Sequence, residues 1–137
     1  MATPARLPQI LICDDDSVFQ LAVKHTLKGK FECRSAYNAD EALMLLKKHP
    51  VDVLLLDIQM RSPTEGLTYI PKFLEMEPHL AIVMISGVKD FKTVRDAMVL
   101  GAADYIGKDF EPESLPLTLN RVIERRKLLD RRDQQNF

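Results

Sequence analysis

Five short apolar runs, each about the length of one β-strand, recur along the 137 residues and alternate with segments of helical periodicity. The first, third and fourth runs are apolar on both alternating faces, which is typical of strands covered on both sides of a parallel sheet. The second run alternates more, and we expect it at an edge. Strands that alternate with helices predict an α/β fold with a doubly wound parallel sheet. The five runs occupy residues 9–13, 32–37, 51–56, 80–85 and 103–106.

Three of the five predicted helices have clear boundaries. The first presents apolar side chains from Phe19 to Leu27 at spacings of three and four residues, and Gly29 follows as a stop signal. Asn38 is the expected N-cap of the second helix, and Gly101 ends the fourth. Each helix follows a strand, as the predicted fold requires.

The other two helices contain a proline near their predicted starts. We expect Thr68 to cap the third helix, which places Pro71 in the first turn, where its missing N–H has no intrahelical carbonyl to bond. The fifth helix is predicted from Ser114 with Pro116 in its first turn, and its apolar face continues to Leu129. Neither proline therefore argues against a helix.

The composition limits the class of protein. Hydrophobic residues make up 46% and charged residues 28% of the chain, which excludes a disordered or low-complexity sequence. The net charge of −1 argues against a surface built to bind nucleic acid. That balance combines two unlike regions, since 13 basic and 17 acidic residues give −4 over residues 1–120, whereas 6 basic and 3 acidic residues give +3 over residues 121–137.

Two further features concern the cellular compartment. The longest apolar run, Leu80 to Ile85, is too short to cross a bilayer, and the N-terminus lacks the apolar core of a signal peptide. Cys13 and Cys33 lack the spacing of a zinc site or a disulfide framework, so we expect reduced thiols. These observations predict a cytoplasmic protein with no membrane contact.

Polar residues follow the strands at their carboxyl ends, where ligands collect in folds of this class. Asp14, Asp15 and Asp16 follow the first strand, and Asp57 closes the third. Acidic residues at the start of a helix also suit its dipole, which is the alternative explanation for the first group. If the carboxylates converge with Asp57, however, their repulsion must be offset by a cation or by raised pKa values. Carboxylate oxygens at a shallow rim predict Mg²⁺.

Ser86 and Lys108 lie at the same rim, after the fourth and fifth strands. A lysine, a hydroxyl and carboxylates with a metal form a cradle for the charge of a transferring phosphoryl group. Asp57 is central among them and is the expected nucleophile. Taken alone, Lys108 would be a solvated loop residue and Ser86 a small strand end, but the combination favours phosphoryl chemistry.

The sequence resembles the receiver domain of bacterial two-component response regulators over residues 8–126. The segments that carry the resemblance are ILICDDD, LLLDIQM, VMISG and GAADYIGK. The resemblance implies a flavodoxin-like fold, with a five-stranded parallel sheet in the order 2-1-3-4-5 and five helices. Residues 127–137 would then be a C-terminal helical extension or linker.

The same resemblance implies a role for each rim residue. Asp57 would accept a phosphoryl group from a histidine kinase. Asp14, Asp15, Asp57 and the backbone carbonyl of Gln59 would bind Mg²⁺, and Asp16 would be a flanking acid.

A second group of residues would form a switch. Ser86 would move its hydroxyl to the phosphoryl group, Tyr105 would rotate inward behind it, and Lys108 would pair with the phosphoryl charge. The surface made by the fourth helix, the last strand and the fifth helix would then change and control an output, which we expect to be transcription.

Three positions depart from the family pattern. Arg61 stands where the family usually has proline, in a loop with one extra residue. We expect it to be solvated, and the alternatives are that it senses the phosphoryl group or contacts a kinase. Asp109 follows Lys108 where the family usually has a proline with a cis peptide, and we expect a trans peptide here, or a strained cis one. Ser86 replaces the commoner threonine and keeps the hydroxyl.

Two residues near the site bear on the lifetime of a phosphoryl group. Gln59 and Val88 lie two residues beyond Asp57 and Ser86, respectively. Neither has a carboxylate that would orient an attacking water. We therefore predict hydrolysis that is not unusually fast.

The sequence leaves the output open. No DNA-binding or catalytic module fits in the tail, and one expectation is a linker helix whose output domain is absent from this chain or never existed. This domain is not expected to bind nucleic acid directly. The ISG segment and the extended last helix resemble receivers of sigma-54-type activators. A stand-alone receiver that acts by protein contact is the alternative, and in either case a homodimer through the switch surface is possible.

Two rival functions have less support. A phosphatase-like enzyme with an aspartate nucleophile, similar to haloacid dehalogenases, needs a second aspartate where Gln59 stands. A flavodoxin-like electron carrier needs a phosphate-binding loop where Asp14, Asp15 and Asp16 would repel the flavin phosphate. The expected molecule is therefore not an enzyme in its own right, although it assists its own phosphorylation and dephosphorylation.

Overall fold

The computed structural model describes residues 6–62, 65–87 and 90–135. Five strands alternate with five helices along the chain, as predicted. The strands are β1 (Gln9–Cys13), β2 (Glu32–Ala36), β3 (Val53–Asp57), β4 (Ala81–Ser86) and β5 (Asp104–Gly107). The helices are α1 (Ser17–Leu27), α2 (Ala39–Lys48), α3 (Glu65–Met76), α4 (Phe91–Leu100) and α5 (Ser114–Gln135).

All strand pairs are parallel, and the order across the sheet is β2-β1-β3-β4-β5. The predicted α/β class, the strand order and the edge position of β2 are therefore confirmed. Relative to the prediction, β3 and β4 begin and end one or two residues later, so Asp57 and Ser86 are the last residues of their strands. The register pairs Asp57 with Ile85 and Ser86 with Gly107, which brings these strand ends to one rim.

Alternate residues of each central strand enter two separate cores. Leu11 and Leu54 pack on the side covered by α2, α3 and α4. Ile10 and Val53 pack on the side covered by α1 and α5. Because both faces of β1, β3 and β4 are buried, nearly every residue in these strands is apolar, and the polar exceptions stand out at the ends.

Helix α3 differs from the prediction, because it begins at Glu65 and not after a cap at Thr68. Pro71 consequently lies inside the helix, where it removes one backbone hydrogen bond. Two buried side chains, Ile70 and Phe73, anchor the helix on either side of this proline. The start is fixed by the N–H of Gly66, which donates to the carbonyl of Ile58 at 2.9 Å.

Helix α5 starts at Ser114 as predicted, and continues beyond Leu129 to Gln135. Its second half is held by Arg126, whose guanidinium donates to the carbonyl oxygens of Pro78, His79 and Leu80 at distances of 3.0, 2.6 and 3.1 Å. Asp130 lies 2.8 Å from the His79 ring nitrogen. Among the described residues, no helix is both long and apolar enough to cross a membrane.

Candidate functional site

Three carboxylates meet at the rim formed by the ends of β1 and β3. Asp14 follows β1 and is 1% exposed, Asp57 ends β3 and is 3% exposed, and Asp15 is exposed. One oxygen from each carboxylate lies within 4.8 Å of the other two. Asp16, next to them, caps α1 by accepting hydrogen bonds from the N–H groups of Val18 and Phe19. Of the three consecutive aspartates, Asp14 and Asp15 therefore lie at the rim, whereas Asp16 is the N-cap of α1.

Lys108 bridges the two buried carboxylates. Its Nζ lies 3.0 Å from Asp14 Oδ2 and 3.3 Å from Asp57 Oδ2. Burial lowers the pKa of Lys108, but its hydrogen bond to Asp14 and the charge of Asp57 raise it above its ordinary value overall. The backbone N–H of Lys108 donates to the Ser86 carbonyl at 3.0 Å, which fixes the loop that carries the lysine to the end of β4.

The carboxyl group of Asp57 is destabilised in its charged form. Burial and the neighbouring charge of Asp14 raise its pKa to about 6, although Lys108 and the N–H of Gln59 oppose the rise. That N–H donates to Asp57 Oδ1 at 3.1 Å. Lys108 and the Gln59 N–H do not fully offset the burial of Asp57 and its repulsion from Asp14. Binding of a further cation would therefore stabilise the charged form of Asp57.

The site fits a small divalent cation. Asp14 Oδ2 is buried and, apart from its contact with the Lys108 ammonium, has no hydrogen-bond partner among the described residues. The available donors are carboxylate oxygens, with exposed Asp15 at the mouth and Gln59 beside Asp57. Mg²⁺ prefers such hard oxygen ligands and retains several waters, which an exposed rim permits.

The predicted switch residues lie on the adjacent strands. Ser86 is fully buried at the end of β4, and Tyr105 is half-buried on β5. Their hydroxyl groups are hydrogen-bonded to each other, and burial raises the pKa of Tyr105 above its ordinary value. The structure therefore brings Asp14, Asp15, Asp57, Ser86 and Lys108 to one rim and joins Tyr105 to it through Ser86.

Comparison with known proteins identifies this arrangement. The family model described as the response regulator receiver domain matches residues 10–120. The chain belongs to the response regulator receiver domain family. Membership in this family of signalling domains gives no support to the phosphatase or electron-carrier alternatives.

Several relatives of this receiver domain are longer proteins. It is 32% identical over 121 residues to an NtrX-like response regulator of Rickettsia felis, covering 87% of this chain and 26% of that protein. It is 30% identical over 123 residues to DctD, a C4-dicarboxylate transport transcriptional regulatory protein of Rhizobium meliloti, covering 89% of this chain and 26% of the relative. The chain thus spans about a quarter of the length of these curated relatives.

Solved structures agree with this assignment. The receiver domain superposes on NtrX from Brucella abortus with a TM-score of 0.86 and 30% identity, over 95% of this chain and 30% of that chain. A receiver domain protein from Clostridium thermocellum gives a TM-score of 0.80 at 28% identity, over 90% of this chain and 99% of that chain.

Two local features of this receiver domain concern its departures from the family pattern. The peptide bond between Lys108 and Asp109 is trans, as predicted, and not the strained cis bond that was the alternative. Arg61 is 59% exposed at its side chain, yet its Nη2 lies 2.6 Å from Oε1 of the buried Glu65. Arg61 is therefore not simply solvated, because it compensates a buried acid. Val88 lies outside the described residues.

Sequence reasoning missed two buried polar groups near the site. Gln20 is 1% exposed, and its amide nitrogen lies within hydrogen-bonding distance of the carbonyls of Ile12, Asp14 and Ala36 at 3.0, 3.1 and 2.8 Å. Gln20 precedes the buried Val23 by three residues, so helical periodicity places both residues on the buried face of α1. This spacing was the sequence signal for the burial of Gln20. Glu65 was missed because only the four-residue spacing from Arg61 indicated the pair.

Proposed function

We propose that this receiver domain accepts a phosphoryl group on Asp57 from a histidine kinase. A carboxylate oxygen of Asp57 forms a bond to phosphorus as the bond from phosphorus to the kinase's histidine nitrogen breaks, and the electron pair returns to that nitrogen. The observation that carries the proposal is the position of Lys108, whose ammonium lies beside both Asp57 and Asp14. It provides a fixed positive charge where the transferred group gains negative charge.

We assign the metal ligands to Asp14, Asp15, Asp57 and the backbone carbonyl of Gln59. When bound, Mg²⁺ supplies positive charge that neutralises the phosphoryl oxygens. The protein residues hold their carboxylates in place: Asp14 Oδ1 accepts a hydrogen bond from the N–H of Asp16 at 2.9 Å, and Asp57 Oδ1 accepts one from Gln59. By binding the metal and orienting the nucleophile, these residues would assist both phosphorylation and dephosphorylation of the domain.

Phosphorylation of Asp57 would change the positions of Ser86, Tyr105 and Lys108. The Ser86 hydroxyl and the Lys108 ammonium are the groups that would bind phosphoryl oxygens, and Tyr105 would follow Ser86 through their shared hydrogen bond. Tyr105 lies on β5, so its movement would alter the surface formed by α4, β5 and α5. Exposed apolar side chains on α4 support a contact surface there: Phe91 is 79% exposed and Val99 is 79% exposed.

We infer that the output of the switch is transcription, and that it acts in the cytoplasm. The transcriptional regulator DctD is a relative over most of this chain, and the longer relatives carry additional sequence beyond the matched part. The free thiols of Cys13 and Cys33 suit a reducing compartment. A homodimer through α4, β5 and α5 would connect the switch to an output on a continuing α5. A stand-alone receiver that binds a partner protein through the same surface is the second candidate.

The proposal is tested by incubating the protein with phosphoramidate and Mg²⁺ and measuring its intact mass. The wild type should gain the mass of one phosphoryl group, and Asp57→Asn should gain none. Asp40→Asn is the matched control, because it removes an exposed carboxylate on α2 and should leave the adduct unchanged. An equal adduct in Asp57→Asn, or none in the wild type, would exclude Asp57 as the acceptor.

A further inference from the structure

An aromatic ring lies against the lysine of the site. The Lys108 Nζ is 4.7 Å from the centroid of the Phe19 ring, a distance at which a cation is attracted by the ring face. Phe19 is half-buried on α1, two residues after Ser17 begins the helix. Helical periodicity places Phe19 on the apolar face of that helix, and its contact with the lysine is separate from those of the three acidic residues at the rim.

A second ring holds the first in place. The centroids of Phe19 and Phe110 are 6.3 Å apart, and their planes cross at 84°, which is a favourable edge-to-face arrangement. Phe110 belongs to the loop between β5 and α5, two residues after Lys108, and its N–H donates to the Gly107 carbonyl at 3.2 Å. The two rings therefore connect α1 to the loop that carries the lysine.

The loop between β5 and α5 has no proline after Lys108 to restrict its backbone. Asp109 follows Lys108, and its φ angle is not locked by a ring as that of proline is. Contacts from other parts of the chain must then fix the direction of the lysine. Packing of Phe110 on Phe19 is such a contact, because it restrains the loop one residue beyond Asp109.

We propose that Phe19 is a positioning residue for phosphoryl transfer, holding the Lys108 ammonium at the rim while the ionic partners of that ammonium change. This inference rests on the proposed function of Asp57. Asp14 and Asp57 are the other partners of the ammonium, but the proposed function assigns one to the metal and the other to the phosphoryl group. The Phe19 ring is neutral and takes no part in either event, so its contact persists in every state of the site.

The experiment compares substitutions that keep or remove the ring. Phe19→Leu keeps apolar volume without the aromatic face, whereas Phe19→Tyr keeps the face. Leu21→Ala is the matched control, because Leu21 is 69% exposed on the same helix. The rate of adduct formation with phosphoramidate is measured at saturating Mg²⁺, together with the dissociation constant for Mg²⁺. We expect Phe19→Leu to slow the reaction about three- to tenfold, with Phe19→Tyr and Leu21→Ala within about twofold of wild type.

The dissociation constant for Mg²⁺ should change less than about twofold in all three variants, since the ring contacts the lysine and not the carboxylates. A general loss of structure would weaken Mg²⁺ binding as well, which separates positioning from packing. Equal rates for Phe19→Leu and wild type, or equal slowing by Phe19→Leu and Phe19→Tyr, would overturn the inference. Absence of any adduct in both wild type and Leu21→Ala would instead overturn the proposed function of Asp57.

A measurement on the wild type covers the case in which Phe19→Leu does not fold. A proton beside the face of an aromatic ring is shifted upfield in the NMR spectrum, so the side-chain methylene protons of Lys108 should be shifted upfield from those of an exposed lysine. The shift should persist in Asp57→Asn. Lys108 resonances at the positions of an exposed lysine would show that the ring contact is not formed and would overturn the inference.

Discussion

The Arg61 guanidinium and the Glu65 carboxylate form an ion pair between the end of β3 and the start of α3. Arg61 donates from Nε and Nη2 to Glu65 Oε1, at 3.1 and 2.6 Å, and its backbone N–H donates to Oε2 at 2.9 Å. Because Glu65 is buried, this pair stabilises the start of α3, where a Cβ on the next residue, Gly66, would collide with the Asp57 carbonyl. Arg61 and the first turn of α3 are thus held close to Asp57.

Replacing Arg61 by glutamine should lower the thermal unfolding temperature by a few degrees at neutral pH. The hydrogen bonds from Arg61 lower the pKa of Glu65, so their stabilisation is fully present above the unfolded pKa of a glutamate and is lost as the pH falls through the lower folded value. The difference between Arg61→Gln and wild type should therefore disappear in acid. Calorimetry across pH measures this, and a difference that grows in acid would contradict the assigned pair.

Asp57→Asn should be more stable than the wild type in the absence of metal. Burial and repulsion from Asp14 raise the folded pKa of Asp57 from 3.8 to about 6, so the charged form opposes folding, with the cost beginning near the unfolded pKa and complete above the folded one. The rise in pKa sets an upper limit of about 3 kcal/mol on the gain at pH 7.5. The gain should vanish below the unfolded pKa, and urea unfolding at several pH values measures it. A destabilised Asp57→Asn at pH 7.5 would refute the argument.

The polar residues at the carboxyl ends of the strands were predictable, with the ends of β3 and β4 placed one residue early. An aspartate that closes an apolar run has few structural explanations. The alternation of strands and helices and the position of Asp57 followed from that pattern. The start of α3 did not, because a cap at Thr68 with Pro71 in the first turn also fits the sequence. No local pattern indicates that the Gly66 N–H bonds to the Ile58 carbonyl. Contacts between distant segments, such as those of Gln20 with the ends of β1 and β2, depend on packing and have no local signal.

Gln20→Leu should destabilise the fold by about 2 kcal/mol, because the two N–H bonds of its buried amide, which three carbonyl oxygens share, would be lost. The Ser35 hydroxyl, which donates to the Gln20 side-chain oxygen at 2.7 Å, would lose its acceptor as well. Thr26→Ala is the control on the same helix, where an exposed hydroxyl bonds the Ala22 carbonyl, and it should change stability by less than about 0.5 kcal/mol. Similar unfolding midpoints in urea for both variants would show that the Gln20 network contributes little.

The phosphoryl group on Asp57 should persist for minutes or longer in the purified protein. Gln59 is exposed two residues after Asp57 and has an amide in place of a carboxylate, so it cannot accept a proton from an attacking water. The loss of adduct mass after removal of the phosphodonor gives the lifetime directly. Gln59→Glu introduces the missing base and should shorten it, whereas Gln59→Asn should not. Loss from the wild type within seconds would contradict this prediction.

Peptide mapping locates the acyl phosphate that the site is proposed to form. The protein is phosphorylated with phosphoramidate and Mg²⁺, reduced with borohydride, which converts an aspartyl phosphate to homoserine, and digested for tandem mass spectrometry. We predict homoserine at position 57 and unmodified aspartate at Asp14 and Asp15. Homoserine at either of those two positions, or none at position 57 in a sample that carries the adduct, would show that Asp57 is not the acceptor.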